Sequence, residues 1–196
     1  MTEIIMIDTE TTGLCGYPID VVVEIALSRV NLEEGTVTPL FSSIVGHDTD
    51  DWPQPMKHAW IFENTALTLR DVKNAPAQPG VIDAVRDMVA GQMVTSYNVA
   101  FDFDKFLNKA PWRLNDICRI VTDPMLVAKD VMKIESTMHS DYKFPRLQTV
   151  YDKLCPDDPA GIHGKQDHRA LSDTKVAGHV MIRMFNAGLY KTEAAE

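Results

Sequence analysis

Ile4-Ile5-Met6-Ile7-Asp8-Thr9-Glu10-Thr11-Thr12-Gly13-Leu14 is the stretch on which the reading of the whole chain turns. Ile4 to Ile7 is an unbroken apolar run rich in β-branched residues, the pattern of a short strand buried on both faces. Two carboxylates, Asp8 and Glu10, follow it directly. In extended chain, residues i and i+2 point to the same side, so both acids converge on one spot. Like charges at the end of a buried strand repel strongly in low dielectric unless a cation lies between them. Thr11-Thr12-Gly13 then turns the chain with small residues that let a ligand approach the backbone. The stretch points to a divalent-metal site at the mouth of a strand; a solvated strand end is the alternative at this stage.

The totals fit a globular chain with room for such a site. A length of 196 residues supports a core without staples, and one domain over 1–190 is expected, with 191–196 a frayed tail. Apolar residues make up 45% and charged residues 24%, which excludes a disordered or fibrous chain. No apolar run approaches the roughly 18 residues that span a bilayer. No basic segment precedes an apolar one at the N-terminus, so neither a membrane partner nor a signal peptide is expected. Cys15, Cys118 and Cys155 are odd in number and widely separated, which suits a reducing cytoplasm and argues against disulfides or a thiolate zinc site. The net charge of −9 would ordinarily speak against nucleic acid. An enzyme that meets its polyanionic substrate through cations held on carboxylates is the exception.

Downstream, Val21 to Val30 is strongly β-branched, Asn31 to Gly35 is a polar turn, and Val37 to Val45 resumes the apolar pattern. The two runs predict an antiparallel hairpin turning at Gly35. Glu24, a lone acid inside the first run, could join the metal cluster, but it is expected to face solvent or to support the metal site from behind. Gly46 to Pro55 is acidic and irregular, the character of a surface loop that carries specificity. Trp52, Trp60 and Phe62 read as core residues, with base stacking the alternative. Pro79 to Ala90 has helical spacing and ends at Gly91. Met93 to Tyr97 reads as a strand, and Asn98 to Leu107 opens a helix on which Asp102 and Phe106 share a face. Asp116 to Val121 reads as another strand and Asp123-Pro124 as the cap of a helix reaching Met132. Lys133 to Lys143 reads as a polar loop, Pro145 to Leu154 as a short helix, and Cys155 to Asp167 as a loop holding His163. Arg169 to Asn186 is a long final helix. Three strands followed by strands alternating with helices make an α/β fold.

Three acidic positions stand at strand ends or helix starts, where ligands of α/β sheets gather: Asp8/Glu10, Asp102 and Asp173. On an ideal helix His168 and Asp173 would lie about 140° apart. His168 is therefore expected in the loop before the helix, over a cleft into which Asp173 points. Four carboxylates and a histidine suit hydrolysis of a phosphodiester: two hard cations about 3.5–4 Å apart clamp the attacking and leaving oxygens. Carboxylates favour Mg²⁺ or Mn²⁺ over zinc, and a histidine can take the proton of the attacking water.

Asp8-Thr9-Glu10-Thr11-Thr12-Gly13-Leu14, Asn98-x-x-Phe101-Asp102 and His168-x-x-x-x-Asp173 resemble, in order, the three motifs of the DEDDh (DnaQ-like) 3′–5′ exonucleases. The resemblance runs from residue 4 to about 184, and the pattern is most similar to exodeoxyribonuclease X-type enzymes and proofreading domains. It implies a ribonuclease H-like fold, with a mixed central sheet whose first three strands are antiparallel and the rest parallel, flanked by helices. It implies two divalent ions on Asp8, Glu10, Asp102 and Asp173, with His168 as general base. It also implies that Thr11, Thr12, Gly13 and Leu14 hold the terminal nucleotide, Leu14 wedging against the base, while Asn98 and Phe101 support the Asp102 turn. The implied substrate is the 3′ end of DNA, with RNA as the alternative, and the implied associations are a homodimer or a replication or repair partner. Oligoribonucleases more often carry Met near Thr9 and Thr11, which disfavours an RNA-fragment enzyme. A non-catalytic module that binds nucleic-acid ends is the competing class, and it would be expected to have lost one of the four acids. Arg169 could touch phosphate or be a surface arginine. His163, His179, Asp104 and Cys15 read as ordinary loop, helix or surface residues.

Overall fold

The computed structural model describes residues 2–136, 141–162 and 167–192. The expectations for His163, for the middle of the 133–143 loop and for the tail from 193 onward fall outside them.

The opening run forms β1 (Glu3–Thr11), which carries the Asp8 and Glu10 positions within the strand itself. β2 (Val22–Asn31) and β3 (Thr36–Ile44) make the expected hairpin. Its turn is closed by the Asn31 carbonyl, which accepts from the Gly35 N–H, while the Asn31 side chain accepts from the N–H groups of Glu33 and Glu34. β1 pairs antiparallel with β2 and parallel with β4 (Met93–Thr95), and β4 pairs parallel with β5 (Arg119–Ile120). The sheet order is β3-β2-β1-β4-β5, so the charged end of β1 lies at the centre of the sheet. β5 is shorter than the predicted 116–121 strand: Leu114–Asp116 is a 3₁₀ turn, and two residues, Arg119 and Ile120, pair in register with the short β4.

Strand period two sorts the core into two layers. Ile4 and Met6 of β1 pack with Val30 of β2 against α6 (Pro124–Met132), α7 (Leu147–Leu154) and α8 (Ala170–Asn186). Ile5 and Ile7 face the other way, onto α4 (Gln78–Val89) and the segment 103–114. Between β3 and α4 run α1 (Gln54–Lys57), α2 (Trp60–Asn64) and α3 (Leu69–Asn74). α3 starts on a capping box in which Thr68 and Asp71 satisfy each other's backbone N–H groups. A small third cluster, Val23, Ala59, Ile61, Leu67 and Val72, fastens this excursion to β2.

α8 crosses β2 closely because its facing side chains are small. A Cβ added at Gly178 would sit 3.0 Å from Val30 and Val37, and Ser28 and Thr174 share a buried hydrogen bond of 2.7 Å. The same side of β2 carries Glu24 one turn of α8 further on. The expectation that Glu24 faces solvent is wrong: it is 2% exposed and takes a bidentate grip from Arg169, with Nε at 2.8 Å and a terminal nitrogen at 2.9 Å. Period two places Glu24 on the α8 face, so burial was fixed by the strand's own alternation.

α5 (Val99–Asp102) runs into a π turn over Phe103–Leu107, closed by the Asn108 N–H donating to the Phe103 carbonyl at 2.7 Å. With the wider turn, Phe106 meets Phe101, five residues back, at 5.4 Å between ring centroids. No helix among the described residues is long and apolar enough to cross a membrane.

Candidate active site

Asp8 and Glu10 point to the face covered by α8, and Asp173, in the first turn of that helix, points back at them. One ligand oxygen from each of the three lies within 4.8 Å of the others. Such a set fits a hard divalent cation: all three donors are carboxylate oxygens, half-buried or buried. Asp102 is not in this trio, yet it lies close enough that its charge acts on Asp8 ahead of those of Asp173 and Glu10. Thr9, between the two acids and pointing away from both, donates its hydroxyl to Asp102 Oδ1. The strand thus turns Asp8 and Glu10 toward Asp173 of α8 and, through Thr9, holds Asp102 by a hydrogen bond.

Crowding sets the electrostatics. Burial, and then the neighbouring charges of Asp102, Asp173, Glu10 and Glu24, push the Asp8 carboxyl well above its usual range. Glu10 is pushed up to about 9, first by burial and then by Asp173, Glu24 and Asp102, while Arg169 pulls it back. Asp102 is raised to about 7 by burial, against the lowering effect of the Thr9 hydrogen bond. Without a cation the folded protein therefore holds protons that the unfolded chain releases near pH 4. These groups have folded values above their unfolded ones, so their stabilising effect is complete below about pH 4 and is lost as pH rises through about 7 and then about 9. In EDTA the Tm is expected to fall steadily from about pH 4.5 to about 9, and the Tm increase given by Mg²⁺ to grow over the same range, since the ion displaces those protons. A Tm in EDTA that stays flat with pH would show the cluster to be uncoupled from folding.

The other expected residues divide as follows. Asn98 adopts a left-handed conformation (φ 99°) at the start of α5. Asp123 caps α6 as expected and also accepts from the N–H groups of Asn98 and Val99, bracing the turn that carries Asp102. Phe101 packs on Phe106 and under the Lys105 ammonium. Thr11 closes its turn by donating to the Gly13 carbonyl at 2.8 Å, and Leu14 stands 74% exposed beyond it, with its carbonyl taken by Lys105. Asp104 is exposed, as expected. His168 lies in the loop before α8, as expected, with left-handed backbone (φ 51°). It is outside the carboxylate trio, and its ring meets Trp60 edge to face at 5.0 Å between centroids. Trp52 and Phe62 pack against the small third cluster, whereas Trp60 is half-exposed.

Three features escaped the sequence. Asp20 organises the turn after β1, accepting from the Thr12 hydroxyl and the Cys15 N–H. A Cβ at Gly13 would lie 2.5 Å from the Asp20 carboxylate, so a side chain there would have to displace Asp20 from its hydrogen bonds to the turn. Arg169, read as a phosphate or surface residue, is committed to Glu24. Thr9 carries the only signal within reach: a hydroxyl flanked by two metal-type acids.

A model of the exonuclease family RNase_T matches residues 5–181. The PolC-type DNA polymerase III of Bacillus subtilis is 26% identical over 180 residues, which are 92% of this chain and 11% of that polymerase. The chain thus spans about a ninth of the PolC-type relatives it matches. Among solved structures, Exonuclease X in complex with 5′ overhanging duplex DNA superposes with a TM-score of 0.63 at 23% identity, covering 97% of this chain and 96% of that one. The nuclease domain of 3′hExo, a DEDDh family member bound to rAMP, gives 0.66 at 16% identity, covering 99% and 96%. The fold implied by the motifs is the one these structures share.

Proposed function

Because this chain belongs to the RNase_T exonuclease family, we propose that it is a metal-dependent 3′–5′ exonuclease that releases nucleoside 5′-monophosphates, preferably from single-stranded or frayed DNA. The convergence of Asp8, Glu10 and Asp173 within 4.8 Å carries this reading. Bound Mg²⁺ or Mn²⁺ would supply an activated water and neutralise the leaving oxygen. Asp8, Glu10, Asp102 and Asp173 would hold the ions. His168 would accept the proton of the attacking water at a ring nitrogen. Thr11, Thr12 and Gly13 would cradle the terminal nucleotide through small side chains and backbone, and exposed Leu14 would wedge against its base. Asn98 and Phe101 would keep the Asp102 turn in shape. The catalytic unit in this proposal is 1–190, acting in the cytoplasm. A second copy or a replication or repair protein is the partner class, in keeping with the far longer PolC-type chains that carry a matching stretch.

RNA 3′ ends are the second reading, favoured by the rAMP bound to the 3′hExo domain. Sugar choice rests on contacts around the 2′ position. Matched DNA and RNA oligonucleotides labelled at the 5′ end separate the two. The expected result is a ladder of shortening labelled fragments in Mg²⁺, faster on DNA, and none in EDTA. Early release of a labelled mononucleotide, or cleavage that resists EDTA, would overturn the proposal. Faster digestion of RNA would select the second reading.

A further inference from the structure

The His168-Arg169 pair joins the loop to α8, and its two side chains are held in different ways. Arg169 is locked to buried Glu24 on β2. That fixes the backbone immediately after His168 and leaves the imidazole free to turn about its own side-chain bonds. The contact that opposes this freedom comes from Trp60, whose ring lies at 86° to the imidazole and 5.0 Å from it. Trp60 is 55% exposed, which is unusual for the largest apolar side chain. Its position is nevertheless defined. The next residue, Ile61, is 2% exposed and packs with Val23 of β2, and the Trp60 carbonyl accepts from the Asn64 side chain. The indole is thus presented from a point anchored on the same strand that anchors Arg169.

We propose that Trp60 is a positioning residue for the reaction, gripping the His168 imidazole edge to face so that its ring turns within a narrow range over the cleft. The inference rests on the assignment of His168 as base. An aromatic pair of this geometry restrains by an amount equivalent to about a two- to tenfold change in rate. Among the described residues the indole's ring partner is His168, so its effect travels through His168.

The test uses the full chain with a 5′-labelled single-stranded DNA in Mg²⁺. Trp60→Ala is expected to lower kcat by about two- to tenfold, with KM and Tm close to those of the parent, and Trp60→Phe to restore most of kcat. His168→Ala is expected to lower kcat by about 10²-fold or more, and adding Trp60→Ala to it to cost nothing further. Three results overturn the proposal: a raised KM at unchanged kcat, which makes the indole a platform for a base; an equal further loss in the His168→Ala background; or full activity in Trp60→Ala beside a crippled His168→Ala. Full activity in His168→Ala alone defeats the base assignment itself, and the positioning role falls with it.

Discussion

Asp8→Asn is expected to abolish Mg²⁺-dependent cleavage and, in EDTA, to make the protein more stable. The activity loss should reach about 10³-fold or more, because a cation worth several kcal/mol to the transition state loses a ligand at the centre of the cluster. The stability gain follows from the same crowding. Asp8 shares its pocket with Glu10 and Asp173, and its carboxyl is held well above its usual range by burial and by its acidic neighbours. An amide of nearly equal volume is neutral without a proton, so folding in EDTA no longer has to bind one there against burial and acidic neighbours. Relief of about 1 kcal/mol raises Tm by about 2–4 °C for a chain of this size. Asp173→Asn should behave alike. In both variants the Tm increase given by Mg²⁺ should largely vanish, and the fall of Tm with pH in EDTA should flatten. Oligonucleotide digestion together with melting curves with and without EDTA checks each statement. Retained cleavage in either variant would remove that acid from the catalytic set, and a lower Tm in EDTA would show that packing outweighs repulsion.

Arg169→Ala is expected to be the most destabilising single change near the site. It strands Glu24, which is 2% exposed, beside carboxylates that already repel it. Breaking a buried pair costs about 3–5 kcal/mol, and the lower end applies because the Arg169 side chain is a third exposed. About 3 kcal/mol corresponds to a Tm lower by about 6–12 °C. Activity should fall as well, since Arg169 lowers the Glu10 carboxyl toward its ionised form. The double variant Glu24→Gln, Arg169→Met should recover most of the lost Tm, because removing both charges leaves nothing buried and unpaired. A single variant that melts with the parent would show that Glu24 finds water or another donor.

Local signals made most of this legible. The alternation of β1, the β-branched run ending in a polar turn, and the three spaced acidic motifs act over a few residues each, and they led to the β2–β3 hairpin and to the trio of Asp8, Glu10 and Asp173, while the mixed sheet came from the family resemblance. What stayed hidden depends on distance. Glu24 finds Arg169 from 145 residues away, so its burial reads from sequence as an anomaly rather than a pair. The 116–121 run has strand-forming residues, yet the three-residue length of β4 limits it to two. The π turn after Asp102 leaves no mark in the apolar spacing, and Trp60 differs from Trp52 and Phe62 only in where the fold sends it. The motif groups Asp102 with the other acids, and the hydrogen bond from Thr9 that holds it has no separate mark in the sequence.

The outer strand has a bearing on how the protein behaves when concentrated. β3 lies at one margin of the sheet and carries Pro39 in its middle, opposite Ser28, where the pairing register shifts. A proline offers no N–H to a newcomer, and the shifted register twists the margin out of line. At the other margin β5 offers two residues, too few to template a foreign strand. Both open borders are thus poor seeds for edge-to-edge aggregation, and the β-rich centre that carries the acids can stay dispersed without help from a covering partner.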